Sequence, residues 1–546
     1  MRILPRLTGT FLGREKELGR LREFFPRHHL FVLKGIGGIG KTTLALAFLE
    51  ELKKQKLGKK IFWIECLEGW RLEDFFLEAD SWLRKAEEQS FSSWLKKSQK
   101  NLKEKILFLI NILSKKKFIL FIDDFHLIHD ENINIFLNLL YTYLDSRVIF
   151  ISREDIPVPY LEKLDVFEEK LEGLPVEVAA NLLKNLIDLH KLTPMPDNKS
   201  LAKVAEKVGG HPLLLKLVAS LILSKSLVIE KIAADEASRE IQRYLFSNIL
   251  KKVSPEERDF LNILALSTIP IAEDAVKTML KIKNTGEIIA SMERKFLVDK
   301  DASGSVFLHS LIAQYLEKDM DGDLKRNLNR KLGAYFEKTG LQQEAFSHYL
   351  EGKELGKASR ILSDSAAKMC SRGQYELLIE DSNRLEKAAK NIDPKVLIMK
   401  ANALSILGRW EESLAILQKV ETLTSDKSLV AESAASSAGV YLNIGNVGKA
   451  LSLYEKSLKL AKAASNSGIA KKCLIYMALI CGVRGEIDRG RKLLQKSMVL
   501  SSGDENKEEQ AFVLRVKGAI HNTVEEYDEA LKIGKESLKL ASDMAS

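Results

Sequence analysis

Cysteine is scarce in these 546 residues: there are four, Cys66, Cys370, Cys473 and Cys481, and no two form a C-x-x-C pair. That excludes a disulfide framework and predicts reduced thiols in a cytoplasmic protein. Proline and glycine are sparse too, at 11 and 31 residues, which excludes extensive low-complexity disorder. No clean membrane span is present. Residues 106–122 are broken by Lys115–Lys117 and residues 212–223 by Lys216. Arg2 and Arg6 bracket too short an apolar run for a secretory signal. Charge of one sign is also missing, since 84 basic against 75 acidic residues leave only +9. The densest basic stretch, Lys96 to Lys117, reads as the solvated face of helices rather than a nucleic-acid surface. The length predicts three or four domains.

Short apolar runs recur at 30–34 (LFVLK), 61–65 (IFWIE), 118–122 (FILFI) and 147–151 (RVIFI), with helical patterning between them. Continuous apolar strands alternating with helices predict an α/β core with a parallel sheet covered on both faces. The pattern turns wholly helical after Pro175. Ser254-Pro255-Glu256-Glu257 then starts a new helix with an N-cap, a first-turn proline and a capping-box acid. FLVDK-DASG-SVFL reads as a β-hairpin, so helices closed by a hairpin predict a winged helix. Beyond about residue 325 the chain is helical and self-similar. LGRWEESLAIL, IGNVGKALSLY, RGEIDRGRKLL and VEEYDEALKIG place small residues at Ser413, Ala450, Gly490 and Ala530, in steps of 37, 40 and 40. SRGQYELLIED lies one step earlier and TGLQQEAFSHYL opens the array. These are features of long tetratricopeptide-like repeats in an all-α superhelix.

GIGGIGKT (35–42) fits G-x-x-x-x-G-K-[ST] between a strand and a helix. The backbone amides of Gly35, Gly37, Gly38, Ile39 and Gly40, continuing through Lys41, Thr42 and Thr43, would cradle the phosphates of ADP or ATP. Lys41 supplies a cation for the β- and γ-phosphates and Thr42 a hydroxyl for Mg²⁺. FILFIDDF (118–125) provides the acidic partners. Asp123 would hold Mg²⁺ through water, and Asp124 is the candidate base that orients the attacking water. RVIFISRED ends a further strand with Arg153, a sensor for the γ-phosphate or a surface ion pair with Glu154 or Asp155.

With these motifs in place the chain resembles the signal-transduction ATPases with numerous domains, the STAND family. The likeness is to the branch with an NB-ARC-like core and tetratricopeptide-type sensor that includes the maltose-regulon activator, without that branch's DNA-binding domain. FLGREKEL (11–18) looks like the element one strand ahead of the P-loop, and GGHPLLL (209–215) like the G-x-P motif of the helical lid. The resemblance implies that Phe11 and Leu12 pack by the adenine, Arg14 braces the base or phosphates, and Pro212 closes the base pocket. It also implies that His309, in Leu308-His309-Ser310 where the family has Met-His-Asp, reaches the β-phosphate of ADP. The aspartate is missing, and Ser310 is the residue that could orient the imidazole in its place. His211 departs from the common leucine, and contact with the base and capping of the helix both remain open for it.

The expected division is a P-loop nucleotide-binding domain at 1–170, a helical lid at 171–246, a winged helix at 247–320 and a repeat sensor at 321–546. The resemblance implies a cytoplasmic switch: monomeric and closed with ADP, self-associating with ATP once an inducer or protein partner engages the repeats, and reset by slow ATP hydrolysis. The alternative is an origin-type or DNA-remodelling AAA+ ATPase whose winged helix binds DNA. Its candidate recognition helix offers only Arg294, Lys295 and nearby Lys283 against two acids, so nucleic acid is not favoured.

Overall fold

The computed structural model describes residues 11–545 except 58–59, 68–69, 89, 92–101, 131, 157–165, 189–195, 224–240, 283, 301–303, 372, 390–391, 501–506 and 524. It divides into two compact units, Met1–Glu354 and Leu355–Ser546. The four expected strands form within one residue of their predicted bounds: β1 (Leu30–Lys34), β2 (Ile61–Glu65), β3 (Ile119–Asp123) and β4 (Arg147–Ser152). They are fully apolar in their centres because helices bury both faces, and Phe31, Leu33, Ile64, Phe121, Ile122 and Ile149 are completely enclosed.

A fifth strand, β5 (Val166–Lys170), completes a parallel sheet of order β2-β3-β4-β1-β5. The sequence gives it no apolar run because it is an edge strand, VFEEK, with one buried position. That position is Glu169, held by Arg20 through two contacts of 2.7 and 2.5 Å. The order sets β1 between β4 and β5, with β3 beyond β4; the loop after β1 leaves the sheet beside the carboxyl end of β4, and Thr42 in the helix that follows reaches Asp123 at the end of β3.

Helices Val176–Asp188, Asn198–Lys207, Pro212–Leu223 and Ile241–Leu250 follow the sheet. Pro212–Leu223, one of the two apolar stretches, is buried along nearly its whole length. The other lies partly in helix Leu102–Lys116, which carries the described part of the basic stretch between β2 and β3; residues 96–101 lie outside the described residues. Among the described residues no helix is long and apolar enough to cross a membrane.

Helix Pro255–Leu266 opens with the expected capping box. Ser254 N–H donates to Glu257 at 2.8 Å, Glu257 N–H donates back to Ser254 Oγ at 3.2 Å, and Pro255 fills the first turn. Helices Glu273–Leu280 and Thr285–Arg294 follow. The hairpin of β6 (Val298–Lys300) and β7 (Val306–Leu308) pairs Val298 with Leu308 and Lys300 with Val306. Ile271 adds a single bridge to Val306 on the other side of β7. Helix Ser310–Asp319 leaves the hairpin directly, and helices Gly322–Thr339 and Gln342–Glu351 close the unit as an antiparallel pair.

The second unit is a stack of helical hairpins from Leu355–Ser371 to Tyr527–Ala545. Gly373, Gly408, Gly445 and Gly485 turn the chain between paired helices with φ of +74 to +84°, a region in which only glycine is unstrained. The small residues Ser413, Ala450 and Gly490 are buried where helices cross.

Glu257 does more than cap its helix. It accepts Ser291 Oγ at 2.6 Å and Lys295 Nζ at 2.9 Å, and only 8% of it is exposed. Glu257→Ala therefore removes a capping partner and strands a lysine together. The expected loss is about 2–4 kcal/mol of unfolding free energy, read by urea denaturation.

Candidate functional site

The loop from Gly35 to Gly40 joins β1 to helix Lys41–Lys54. Gly35, Gly38 and Gly40 have φ of +155, +77 and +100°, the turns that aim successive amides at one point. Gly40 caps the helix without any side-chain acceptor, so the first-turn amides of Lys41, Thr42 and Thr43 have no such partner at the end where the helix dipole is positive. Ile39 is buried, while Thr42 and Thr43 are exposed. Lys41 is 6% exposed and donates to Gly35 O at 2.8 Å and Ile36 O at 3.2 Å. Burial, partly opposed by Asp124, pushes its pKa down to about 8. A buried cation beside uncapped amides fits a polyphosphate.

The acids meet it from β3. Asp123 is 5% exposed and accepts from Thr42 Oγ1 at 3.3 Å and from Asp124 N–H at 3.0 Å. Burial raises its pKa well above the usual carboxylate range, and the charges of Asp124 and Glu65 raise it further. One buried carboxylate with a hydroxyl in reach suits Mg²⁺, which takes one or two protein oxygens and fills its remaining positions with phosphate oxygens and water. Asp124 sits in the left-handed region at φ +50° with its side chain one-third exposed. His126 Nδ1 lies 4.0 Å from it, buried and without a hydrogen-bond partner. Burial lowers the pKa of His126, Asp124 opposing.

The lid reaches the loop through His211. Its Nε2–H donates to Gly37 O at 2.9 Å and its Nδ1 accepts Leu214 N–H at 3.3 Å, which fixes one neutral tautomer. Burial lowers its pKa, consistent with that form. The ring therefore caps the helix begun by Pro212 and braces the P-loop in one arrangement. Gly38 must be glycine for this, because a Cβ there would come within 2.8 Å of the His211 ring. Arg14, 5% exposed, donates to Ile39 O at 3.1 Å and to Glu172 O, tying the loop to the segment that leads into the lid. Phe11 and Leu12 are half-buried, Phe11 against the sheet core.

The winged helix meets the same loop through Arg153. Arg153, at the end of β4, lies flat against Gly37, its Cζ 3.4 Å from where a Cβ would stand, and it donates to Ser310 Oγ. It makes no pair with Asp155, which binds Lys34 instead. Ser310 is therefore engaged by Arg153, and His309 is oriented by the backbone: its Nδ1 accepts Leu311 N–H at 3.3 Å and caps helix Ser310–Asp319. That leaves Nε2 as the imidazole nitrogen for the cleft. Burial first, then the charges of Arg153, Lys216 and Lys41, push the His309 pKa down to about 3. At the end of helix Thr285–Arg294, the candidate recognition helix, Lys295 is committed to Glu257, and Lys283 lies outside the described residues.

The structure thus brings Lys41, Thr42, Asp123, Asp124, Arg153 and His309 to one locus, with Pro212 starting the helix that meets it. Three participants were missed from sequence: His126, Ser310 as the partner of Arg153, and the double hydrogen bonding of His211. His126 had a signal, as the second residue after the acid pair. The other two depend on contacts across more than 150 residues.

His211→Leu should lose the brace and leave the Gly37 carbonyl unpaired, speeding release of a fluorescent nucleotide analogue roughly tenfold. His211→Gln, whose amide nitrogen can occupy the Nε2 position, should stay near the wild-type rate. Equal rates for the two variants would contradict the role given to the Gly37 contact.

Residues 10–151 match the family of AAA ATPase domains. No curated protein matches this sequence. Among solved structures, a STAND protein with a tetratricopeptide repeat sensor from Pyrococcus horikoshii is similar at a TM-score of 0.76 and 20% identity, over 99% of this chain and 78% of that one. A Walker-type ATPase of Pyrococcus abyssi is far less similar, with a TM-score of 0.32 and 17% identity over 58% of this chain and 99% of its own. The same holds for the Orc1 protein of Aeropyrum pernix in complex with DNA, at 0.27 and 15% over 57% and 94%. From β1 to the last helix, the chain has the fold of that STAND protein with a tetratricopeptide repeat sensor, and the part that holds the P-loop is the part that matches AAA ATPase domains.

Proposed function

We propose that the chain is a nucleotide-operated signalling switch. Residues 1–170 bind the nucleotide, 171–246 form the lid, 247–320 form the latching winged helix and 321–546 sense an inducer or protein partner. The observation that carries this reading is the clasp on Gly37: His211 of the lid bonds its carbonyl, and Arg153, packed against it, holds Ser310 beside His309. With ADP, Lys41 and the loop amides hold the phosphates, and the neutral His309 donates from Nε2 to the β-phosphate. The closed monomer is then the state that binds ADP better, which is the differential affinity a switch requires.

ATP changes the competition for Arg153. Its guanidinium has one neutral hydroxyl partner in Ser310, and a γ-phosphate offers a stronger, charged one. An Arg153 turned to the γ-phosphate releases Ser310, and with it the winged helix, so protomers can assemble. Mg²⁺, held by Thr42 and Asp123, would neutralise phosphate charge and favour attack at phosphorus. Asp124 orients the attacking water, His126 sits where it can hold Asp124 in place, and slow hydrolysis returns the closed state.

Two variants test the reading. His309→Ala should release ADP about tenfold faster, for a lost hydrogen bond to a charged group, and should assemble on ATP without inducer, followed by light scattering on a sizing column. Lys41→Ala should bind no nucleotide and stay monomeric. A His309→Ala protein that keeps ADP as firmly as wild type and remains monomeric removes the latch. Assembly of Lys41→Ala regardless of nucleotide removes the switch.

A further inference from the structure

Helix Pro212–Leu223 of the lid, PLLLKLVASLIL, carries a single charge, Lys216. It packs against helices Val176–Asp188 and Ile241–Leu250, and every residue is buried except Pro212, Lys216 and Leu223. Four and then seven positions separate these three, so they line one narrow stripe along the helix. The stripe begins at the P-loop. His211, just before it, bonds the Gly37 carbonyl, and Leu213 Cβ lies 3.0 Å from where a Cβ on Gly38 would stand. Lys216 is one turn further on.

The Lys216 ammonium has no hydrogen bond or ion pair among the described residues. Partly buried lysines elsewhere in the chain pair with acids: Lys295 with Glu257, Lys400 with Glu386 and Lys105 with Glu73. Lys216 departs from that pattern, and so does Lys41, whose Nζ bonds carbonyls of its own loop. A half-buried cation without a counter-charge is costly unless an anion joins it.

What Lys216 faces fits an anion. Its charge is felt at His309, where it opposes protonation more strongly than Lys41 does and ranks behind Arg153 alone. The lid cation therefore lies within electrostatic reach of the imidazole on the winged helix. Lys41 and Arg153 belong to the sheet, so the lid and the sheet bring cations to one place without an acid between Lys216 and His309 among the charges that act there. In the absence of an anion these cations repel one another and disfavour closure; a diphosphate among them turns the repulsion into attraction.

We propose that Lys216 is a nucleotide-binding residue, the lid's own contact to the β-phosphate of a nucleoside diphosphate beside His309. The assignment rests on the switch reading of the site. It makes the β-phosphate the group that joins all three parts: the loop amides and Lys41 from the sheet, Lys216 from the lid and His309 from the winged helix. A nucleoside monophosphate puts no charge at that point, so Lys216 gives the closed form a preference for diphosphate over monophosphate.

The test is a titration of the full chain, stripped of nucleotide, with ADP and with AMP by displacement of a fluorescent adenosine analogue. Lys216→Met keeps the aliphatic stem and removes the charge. It should weaken ADP about tenfold, for one lost hydrogen bond to a charged group, and leave AMP as in the wild type. Lys216→Arg should recover most of the loss. The nucleotide-free melting temperature of Lys216→Met should stay level or rise, because a repulsion is gone. Unchanged ADP affinity in Lys216→Met would overturn the assignment, as would ADP and AMP weakened alike or a loss that Lys216→Arg does not recover. If ADP is untouched by Lys216→Met but lost in Lys41→Ala and weakened in His309→Ala, only Lys216 is removed and the switch reading stands. ADP bound equally well by Lys41→Ala removes that reading and the assignment with it.

Discussion

The P-loop presents its amides to one side, and the carbonyl side of that same backbone must be satisfied by something else. Here the lid supplies His211 to the Gly37 carbonyl, Arg14 spans Ile39 and Glu172, and Arg153 packs against Gly37 while holding the winged helix by Ser310. Much of the first unit can be understood as the framework that delivers these three side chains. The strand order sets β4 between β1 and β3, which brings the end of β4 beside the loop and the end of β3 within reach of Thr42. The lid helix starts where His211 can both cap and brace, and the hairpin of the winged helix sets His309 and Ser310 at the mouth of the cleft.

The electrostatics of the site follow from the same crowding. Burial brings the Lys41 pKa down to about 8, raises that of Asp123 with two neighbouring acids adding to it, and, with nearby cations, keeps the His309 imidazole neutral, so each group is held away from its charged form. An anion placed among Lys41, Arg153 and His309, with a divalent cation beside Asp123, would favour the charged lysine and the charged aspartate together. That is a physical reason for such groups to lie within electrostatic reach of one another, and it is independent of any likeness to other proteins.

What could be read in advance was what local pattern dictates. Four strands with apolar centres, the capping box at Ser254, the hairpin before His309 and the glycine turns of the repeats all follow from the chemistry of neighbouring residues. β5 was hidden because an edge strand has no need of an apolar run, and its one buried residue is a glutamate whose partner, Arg20, lies 149 positions away. For the same reason the sequence could not decide between base contact and capping for His211. Ser310 could be nominated as a stand-in for the missing aspartate, yet its hydroxyl meets Arg153 and the backbone orients the imidazole.

On the proposed reading, lid, P-loop and winged helix close together around ADP. The most direct measurement is to denature the freshly purified protein and quantify released nucleotide by chromatography against protein concentration. Close to one ADP per chain is expected. Protein that folds and remains monomeric while releasing no nucleotide would contradict it.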